Sequence, residues 1–450
     1  MALSVRAVAA SALADLHRRQ GYSNIVLDEL LKTVAVSNAD RGLLSRLFYG
    51  VIERKLTLDH VIGRASSTPI RKMHPLIRET LRVAAYQLLY MDRIPDAAAV
   101  NEAVSATRQL KQGHASGFVN GVLRRILREK ESLFNDLPNT NEGLSIRYSC
   151  PVELIEFWQN AYGKERAEQL LVSLNEEAPE YLRVNTLQIT DDKFSQILTN
   201  AGINHQKIEN LPHCFRVKCA YLLNNLETET KNCYYYQDMA SQWACLALDA
   251  QVGERIADVC AAPGGKSFTV AQAMQNQGQI VSCDIYEHKC GTMARRAEEY
   301  GITMLQTVVR DASTPIPTEW EEAFDRVICD VPCSGLGVIR RKPEIRYKSL
   351  AELRELPALQ YAILEQSADM VREGGVLQYS TCTLNPAENE EIVRRFLREH
   401  TEFSPRLLPL DSCFEALGEQ PSHCITLFPS VHGSDGFFIA GFIKNKAATE

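Results

Sequence analysis

Residues 328–338 read ICDVPCSGLGV. A short apolar run, Arg326–Cys329, ends in an acid, a proline and a cysteine, and Ser334, Gly335 and Gly337 follow. This is the pattern of a buried strand that runs into a tight turn, with Asp330 and Cys333 at its carboxyl end. In open α/β sheets, ligands and chemistry collect outside the carboxyl ends of strands. Two readings fit the stretch alone. In one, a nucleophilic cysteine has a carboxylate beside it. In the other, a strand-ending turn carries a Cys that packs as a small apolar residue.

The flanking sequence repeats strand, turn and helix from Glu254 onward. Strands are expected at Arg255–Val259, Gln279–Cys283, Leu305–Val309, Arg326–Cys329 and Val376–Ser380. Helices are expected up to about Met274, then at Lys289–Tyr300, Leu350–Val371 and Pro386–His400. Strands near Ile425–Leu427 and Phe437–Ile443 read as a closing hairpin. Such alternation predicts a mostly parallel, doubly wound sheet. Asn385, Pro386 and Glu388 read as a cap, first helical position and capping box for the helix after Cys382, whose positive end would favour thiolate over thiol.

Two further constellations sit at the same rim. Asp258–Lys266 reads DVCAAPGGK: a strand, a glycine turn where backbone can approach a ligand, and a helix start. A phosphate loop is excluded, because Cys260 stands where that motif needs glycine, and the dinucleotide G-x-G-x-x-G spacing is absent. A nucleoside-type site remains. Asp284 is spaced to hold ribose hydroxyls, and Asp311 could meet an adenine ring. Each acid alone also fits a strand-end turn residue. Tyr379–Asn389 reads YSTCTLNPAEN and puts Cys382 at the end of a strand expected to neighbour that of Cys333.

Upstream the chain changes character. Residues 1–135 read as all helix, with apolar residues at helical spacing and Asp40 as a candidate cap. They hold 20 Lys and Arg against 12 Asp and Glu, although the whole chain of 450 residues carries −7. A basic block joined to an acidic one suggests that the first meets a polyanion. The turn-rich stretch Glu131–Leu144 marks a boundary, and residues 180–235 read as a small mixed α+β insert with a strand at Tyr181–Leu187. The 13 cysteines are scattered without a C-x-x-C pair, which suits a reducing cytoplasm and gives a metal site no support. No apolar run reaches the length of a membrane helix, and the Ala-rich start continues as an amphipathic helix rather than a signal peptide.

DVCAAPGGK, DVPCSGLG, YSTCTLNPAENE and the tail DGFFIAGF together resemble the Sun family of S-adenosylmethionine-dependent RNA cytosine-5 methyltransferases. DRGLLSRLFYGVIERK and VNEAVSATRQLKQGHASGFVNGVLRRI resemble the helical RNA-binding domain of bacterial antitermination factor B. The resemblance implies an all-α domain (1–135), an α+β RNA-binding subdomain (145–235) and a Rossmann-like, doubly wound class I methyltransferase domain (236–450). It implies S-adenosylmethionine as cofactor, 16S ribosomal RNA as partner, a monomer, and neither membrane nor metal. Transfer RNA, or a non-catalytic role in ribosome assembly, is the alternative. By position, Cys382 matches the nucleophile, Cys333 the cysteine that helps release product, and Asp330 the acid at the target base and near the cofactor. Cys260, Ala261, Ala262, Pro263, Gly264, Gly265, Lys266, Asp284, Lys289 and Asp311 match cofactor-binding positions. Arg183 and Asn185 resemble RNA-contacting residues, and Arg340 and Arg341, just past the Cys333 turn, are candidate phosphate partners. Lys289 stands where many relatives carry arginine, and Arg310 where glycine is common.

Overall fold

The computed structural model describes residues 3–19, 23–33, 37–226 and 230–446. By its contacts the chain forms two compact units: residues 1–176 with 339–350, and residues 177–338 with 351–450.

The first unit is helical. Helices at Val5–Arg19, Asn38–Glu53, Lys55–Ala65, Pro75–Tyr90, Asp96–Gln109 and Ser116–Glu129 enclose one apolar core. Val119, Val122, Leu123 and Ile126 show the spacing that builds it: one stripe of the helix is buried, and Arg124, Arg125 and Arg128 face out. The helix at Asn38 is capped by Ser37, whose hydroxyl accepts from Asp40 N. Asp40 therefore sits three residues inside, not at the cap, and its carboxylate accepts from the Ser37 hydroxyl. Asn141–Tyr148, Val152–Tyr162 and Lys164–Ser173 continue this unit. So does the returning segment Ile339–Leu350. Within it Glu344 accepts from Ser23 N and Oγ, Arg346 donates to the carbonyls of Glu53 and Ser149, and Tyr347 donates to that of Ile52.

The second unit holds two sheets. The smaller is antiparallel and joins β1 (Glu180–Val184), β2 (His205–Lys207), β3 (Cys214–Val217) and β4 (Tyr234–Tyr236) in the order β2-β3-β1-β4. The larger contains β5 (Arg255–Asp258), β6 (Gln279–Asp284), β7 (Leu305–Val309), β8 (Phe324–Asp330), β9 (Val371–Thr381), β10 (Phe403–Pro405), β11 (Cys424–Leu427) and β12 (Phe437–Lys444). Its order is β10-β12-β9-β8-β5-β6-β7, with β11 also paired to β12. Strands β5 to β9 are parallel, and β12 runs antiparallel to β9 and β11, as the expected hairpin requires.

Both faces of the parallel part are covered, so its strands are apolar almost throughout. Ile256, Ile280 and Ile328 pack to one side with Phe268 and Met293. Their chain neighbours Ala257, Val281, Val327 and Cys329 pack to the other, the period-two alternation of a strand. The chain order reverses between β5 and β8. That switch point is where an open α/β sheet leaves a crevice, and both DVCAAPGGK and DVPCSGLG end there.

Candidate active site at the switch point

Cys333 and Cys382 leave neighbouring strands, since β8 pairs with β9 and Asp330 lies opposite Ser380. Their sulfurs are 3.2 Å apart, and none of the 13 cysteines is in a disulfide. The hydrogen bond to Cys382, then burial, then the charges of Cys382 and Glu388 push the Cys333 thiol well above its ordinary pKa. Cys333 therefore favours its protonated form.

Asp330 accepts from Lys266 Nζ at 2.6 Å through one oxygen and from Ser380 Oγ at 2.6 Å through the other. Burial alone would lower the Lys266 ammonium pKa; the Asp330 carboxylate outweighs it and holds the ammonium above its ordinary range. Lys266, expected among the cofactor ligands, has its ammonium on Asp330. The glycine turn places this cation on the acid that ends the next strand.

Two sequence expectations about this rim need correction. The helix after Cys382 begins at Glu390, not Pro386, and its first turn carries Glu390 and Glu391. Asn389, the residue before that helix, accepts from the Thr381 hydroxyl and donates to the Thr383 carbonyl, so the start of the helix adjoins the turn of Cys382. Glu388 is likewise no capping-box residue. It is fully buried and accepts from Ser334 N (2.9 Å), Gln360 Nε2 (2.8 Å) and Asn385 Nδ2 (2.7 Å). It therefore ties the turn of Cys333 to the turn of Cys382. Ser334 and Thr383 hydroxyls add a 2.6 Å bond between the same turns, and Gly337 N donates to the Cys382 carbonyl. A side chain at Gly337 would strike the Gly436 carbonyl and crowd that of Cys382, so only glycine fits. The motif letters Glu-Asn in NPAEN were visible in the sequence; their clamp role needed the third partner, Gln360, which no local pattern announces.

The cofactor turn presents bare backbone. Gly264 has φ +104°, and a Cβ there would strike the Phe268 ring and Met293. Ala261 N is spent on the Cys283 carbonyl, and Cys260, Ala262, Pro263 and Gly264 belong to the loop before the helix Gly265–Ala273, whose first residue is Gly265. Burial, then the nearby Cys329, Asp258, Asp330 and Asp284, hold the Cys260 thiol far above its ordinary range, so it stays protonated. Asp284 accepts from Tyr286 N, and Lys289 Nζ lies 3.6 Å from it. Asp311 is exposed and accepts from Ser313 N and Oγ. Ile285 and Val309 are exposed beside these acids, a pair that pattern reading missed. Exposed aliphatics at neighbouring strand ends are unusual in a covered parallel sheet and suit the flat faces of a purine. Bare backbone, a partly covered acid and an apolar wall fit an adenosyl group.

The two expected RNA contacts of the small sheet have other duties. Asn185 is fully buried, and its amide donates to the carbonyls of Asn232 and Tyr300. Arg183 is buried, donates to the Pro212 carbonyl and lines a cavity of about 180 Å³. Neither faces outward; both brace β1. Arg340 and Arg341 belong to the helical unit's returning segment.

A doubly wound sheet with this strand order, a nucleoside crevice at its switch point and two cysteines beside it defines a class I methyltransferase. Comparison with known proteins narrows the class. Residues 245–443 match the 16S rRNA methyltransferase RsmB/F family, residues 3–128 the NusB family, and residues 129–222 the ferredoxin-like domain of RsmF/B-like methyltransferases. The chain is 34% identical over 98% of its length to a probable ribosomal RNA small subunit methyltransferase B of Bacillus subtilis, covering 99% of that protein. A crystal structure titled PH0851 superposes with a TM-score of 0.80 at 26% identity, covering 99% of this chain and 100% of that one. NSun6 from Pyrococcus horikoshii, solved with the S-adenosylmethionine analogue SFG, has a TM-score of 0.58 at 22% identity and covers 66% of this chain and 98% of its own. The chain belongs to the RsmB/F family of S-adenosylmethionine-dependent ribosomal RNA methyltransferases. No helix among the described residues is long and apolar enough to cross a membrane, and among them no group of three or more His, Cys, Asp and Glu could hold a metal ion.

Proposed function

We propose that the enzyme methylates carbon 5 of one cytosine in 16S ribosomal RNA through a covalent bond between Cys382 and the base. The observation that carries this reading is the 3.2 Å pairing of two strand-end thiols beside the Asp330–Lys266 ion pair. Carbon 5 of cytosine is a poor nucleophile within an aromatic ring. Addition of the Cys382 thiolate to carbon 6 breaks the aromaticity and makes carbon 5 enamine-like. Charge then develops toward ring nitrogen 3, where Asp330 and the Lys266 ammonium supply a hydrogen bond and a proton.

S-adenosylmethionine, when bound, supplies the electrophilic methyl group. Asp284, with Lys289 beside it, would hold ribose hydroxyls, Asp311, Ile285 and Val309 would receive the adenine, and the backbone of Cys260–Gly265 would take the remainder. Once carbon 5 carries the methyl group, its proton passes to a water, since Cys333 favours its protonated form. The Cys382–carbon 6 bond then breaks, and Cys333 returns a proton to the departing sulfur. The target base has to be unpaired or flipped out to reach the rim. Residues 1–135 and 145–235 hold the RNA, and residues 236–450 carry the chemistry. Cysteines held as thiols rather than disulfides suit work in the cytoplasm.

The test is methyl transfer from labelled S-adenosylmethionine to 16S ribosomal RNA lacking modifications, followed by mass spectrometry of the nucleosides. The reading predicts 5-methylcytidine at a single position. Label on ribose, on an exocyclic nitrogen or on transfer RNA alone contradicts it.

A further inference from the structure

The helix Asn38–Glu53 carries a second feature that the chemistry above leaves unused. Gly42, Ser45, Arg46, Tyr49, Gly50 and Glu53 recur at spacings of three and four, so they form one stripe of that helix. The stripe lines a cavity of about 360 Å³. Its opposite wall is the returning segment, through Arg340, Arg341 and Pro343. All of these residues lie in the helical unit.

The cavity is shaped and charged for an anion larger than a lone ion. Gly42 and Ser45 leave space at the helix surface, and nothing lies within 4 Å of where a Gly42 Cβ would stand. The lining carries three arginines, Arg46, Arg340 and Arg341, and one carboxylate, Glu53. Burial raises the Glu53 pKa, and the cations Arg346, Arg46 and Arg54 pull it back down. The returning segment is fixed to the helices by the bonds of Glu344, Arg346 and Tyr347, so the wall bearing Arg340 and Arg341 is preorganised. Arginine forks match phosphate oxygens in pairs. Along the chain, Arg340 is three residues beyond Gly337, whose N–H donates to the Cys382 carbonyl.

We propose that this cavity binds a phosphodiester and its ribose from the substrate RNA, at a nucleotide other than the target cytosine. It is a second anchoring point: Arg46, Arg340 and Arg341 hold the phosphate, Tyr49 gives an apolar side to the sugar, and Glu53 sets the limit of the negative charge admitted. The inference rests on the reading of the chain as an RNA methyltransferase.

The test uses the full-length protein and a fluorescent single-stranded RNA carrying the methylated sequence, with anisotropy measured across a salt series. Arg46→Gln and Arg341→Gln change exposed side chains. Each should weaken binding about tenfold and lower the slope of log affinity against log salt by about 0.7, the loss of one phosphate contact. Glu53→Gln should act in the opposite sense and tighten binding about threefold, which a merely structural role would not produce. Affinity for S-adenosylmethionine should be unchanged in all three. If the arginine variants bind with wild-type affinity and slope while the wild type methylates RNA, the cavity assignment is overturned and the enzymatic reading stands. If the arginine variants lose only the binding of an acidic peptide, the occupant is a protein and the assignment is again wrong. A wild type that neither binds nor methylates RNA overturns both.

Discussion

The turns of Cys333 and Cys382 both follow parallel strands of the same sheet, Cys333 three residues past the end of β8 and Cys382 directly after β9, and their surroundings differ. Cys333 sits in a turn held through its backbone: Ser334 N on Glu388, the Pro332 carbonyl on Gln360, and Gly337 packed against Gly436. Cys382 follows β9 directly, and Thr381 and Thr383 on either side of it are fixed by Asn389 and Ser334. The clamp is shared, but the hydrogen bond to Cys382, burial and the nearby charges push the Cys333 thiol well above its ordinary pKa. Two identical side chains at contact distance therefore stand in different surroundings, and those surroundings are what can separate their roles.

The widest separation between the two is expected from their removal. Cys382→Ala should lower methyl transfer by at least about 10⁴-fold while S-adenosylmethionine binding, followed by calorimetry, is kept. Retained turnover would dissolve the distinction. Cys333→Ala should slow turnover by roughly 10²–10³-fold and accumulate protein-linked RNA, seen as a shifted band on a denaturing gel; a clean gel would mean that Cys333 has no part in release.

The shared clamp offers a third comparison. Glu388→Ala leaves the donors of Ser334, Gln360 and Asn385 buried without their acceptor, which should cost about 3–5 kcal/mol of stability in urea unfolding. Adding the unfolding midpoint of Glu388→Gln sharpens the result, since an amide oxygen can keep part of the set. Equal stability of all three proteins would show that the turns are held elsewhere.

The smallest effect concerns Asp258, buried behind the cofactor turn with its carboxylate accepting from Ser267 Oγ. Burial pushes its pKa up from 3.8 to about 7, against the pull of the Ser267 hydrogen bond and the Lys266 charge. The folded state then holds a proton that the unfolded state has released, so stability falls as pH rises from about 4 to about 7. Asp258→Asn removes this titration. Its melting temperature relative to the wild type should rise between pH 5 and pH 8, and parallel curves would contradict the assignment.

The parts of the site legible in the sequence were those written in contiguous letters. Asp330, Cys333 and Cys382 end strands, and alternation of apolar runs and turns was enough to bring those strands to one rim. Asp284 ends β6 and Asp311 follows β7, as the same alternation predicted. What depends on a partner distant in sequence was misread. Glu388 looked like a capping residue because Asn-Pro-x-Glu is a local helix signal; burial and Gln360 give it another task. Arg183 and Asn185 were matched by resemblance to RNA-contacting residues, but the insert packs so that both turn inward, and a strand's two faces are equivalent until its neighbours are known. Lys266 was grouped with the glycines it follows, whereas its long side chain reaches across the switch point to Asp330. Ile285 and Val309 carried no motif, and only their exposure singles them out.

The most direct test of the division of labour is where the covalent bond forms. Cys333→Ala enzyme is incubated with S-adenosylmethionine and substrate RNA, digested with nuclease and protease, and the linked peptide is sequenced by tandem mass spectrometry. Attack by Cys382 predicts a peptide containing Cys382 that carries a methylated cytidine, and no such adduct from Cys382→Ala. An adduct trapped on Cys333 in the Cys382→Ala enzyme, with none in Cys333→Ala, would contradict the account.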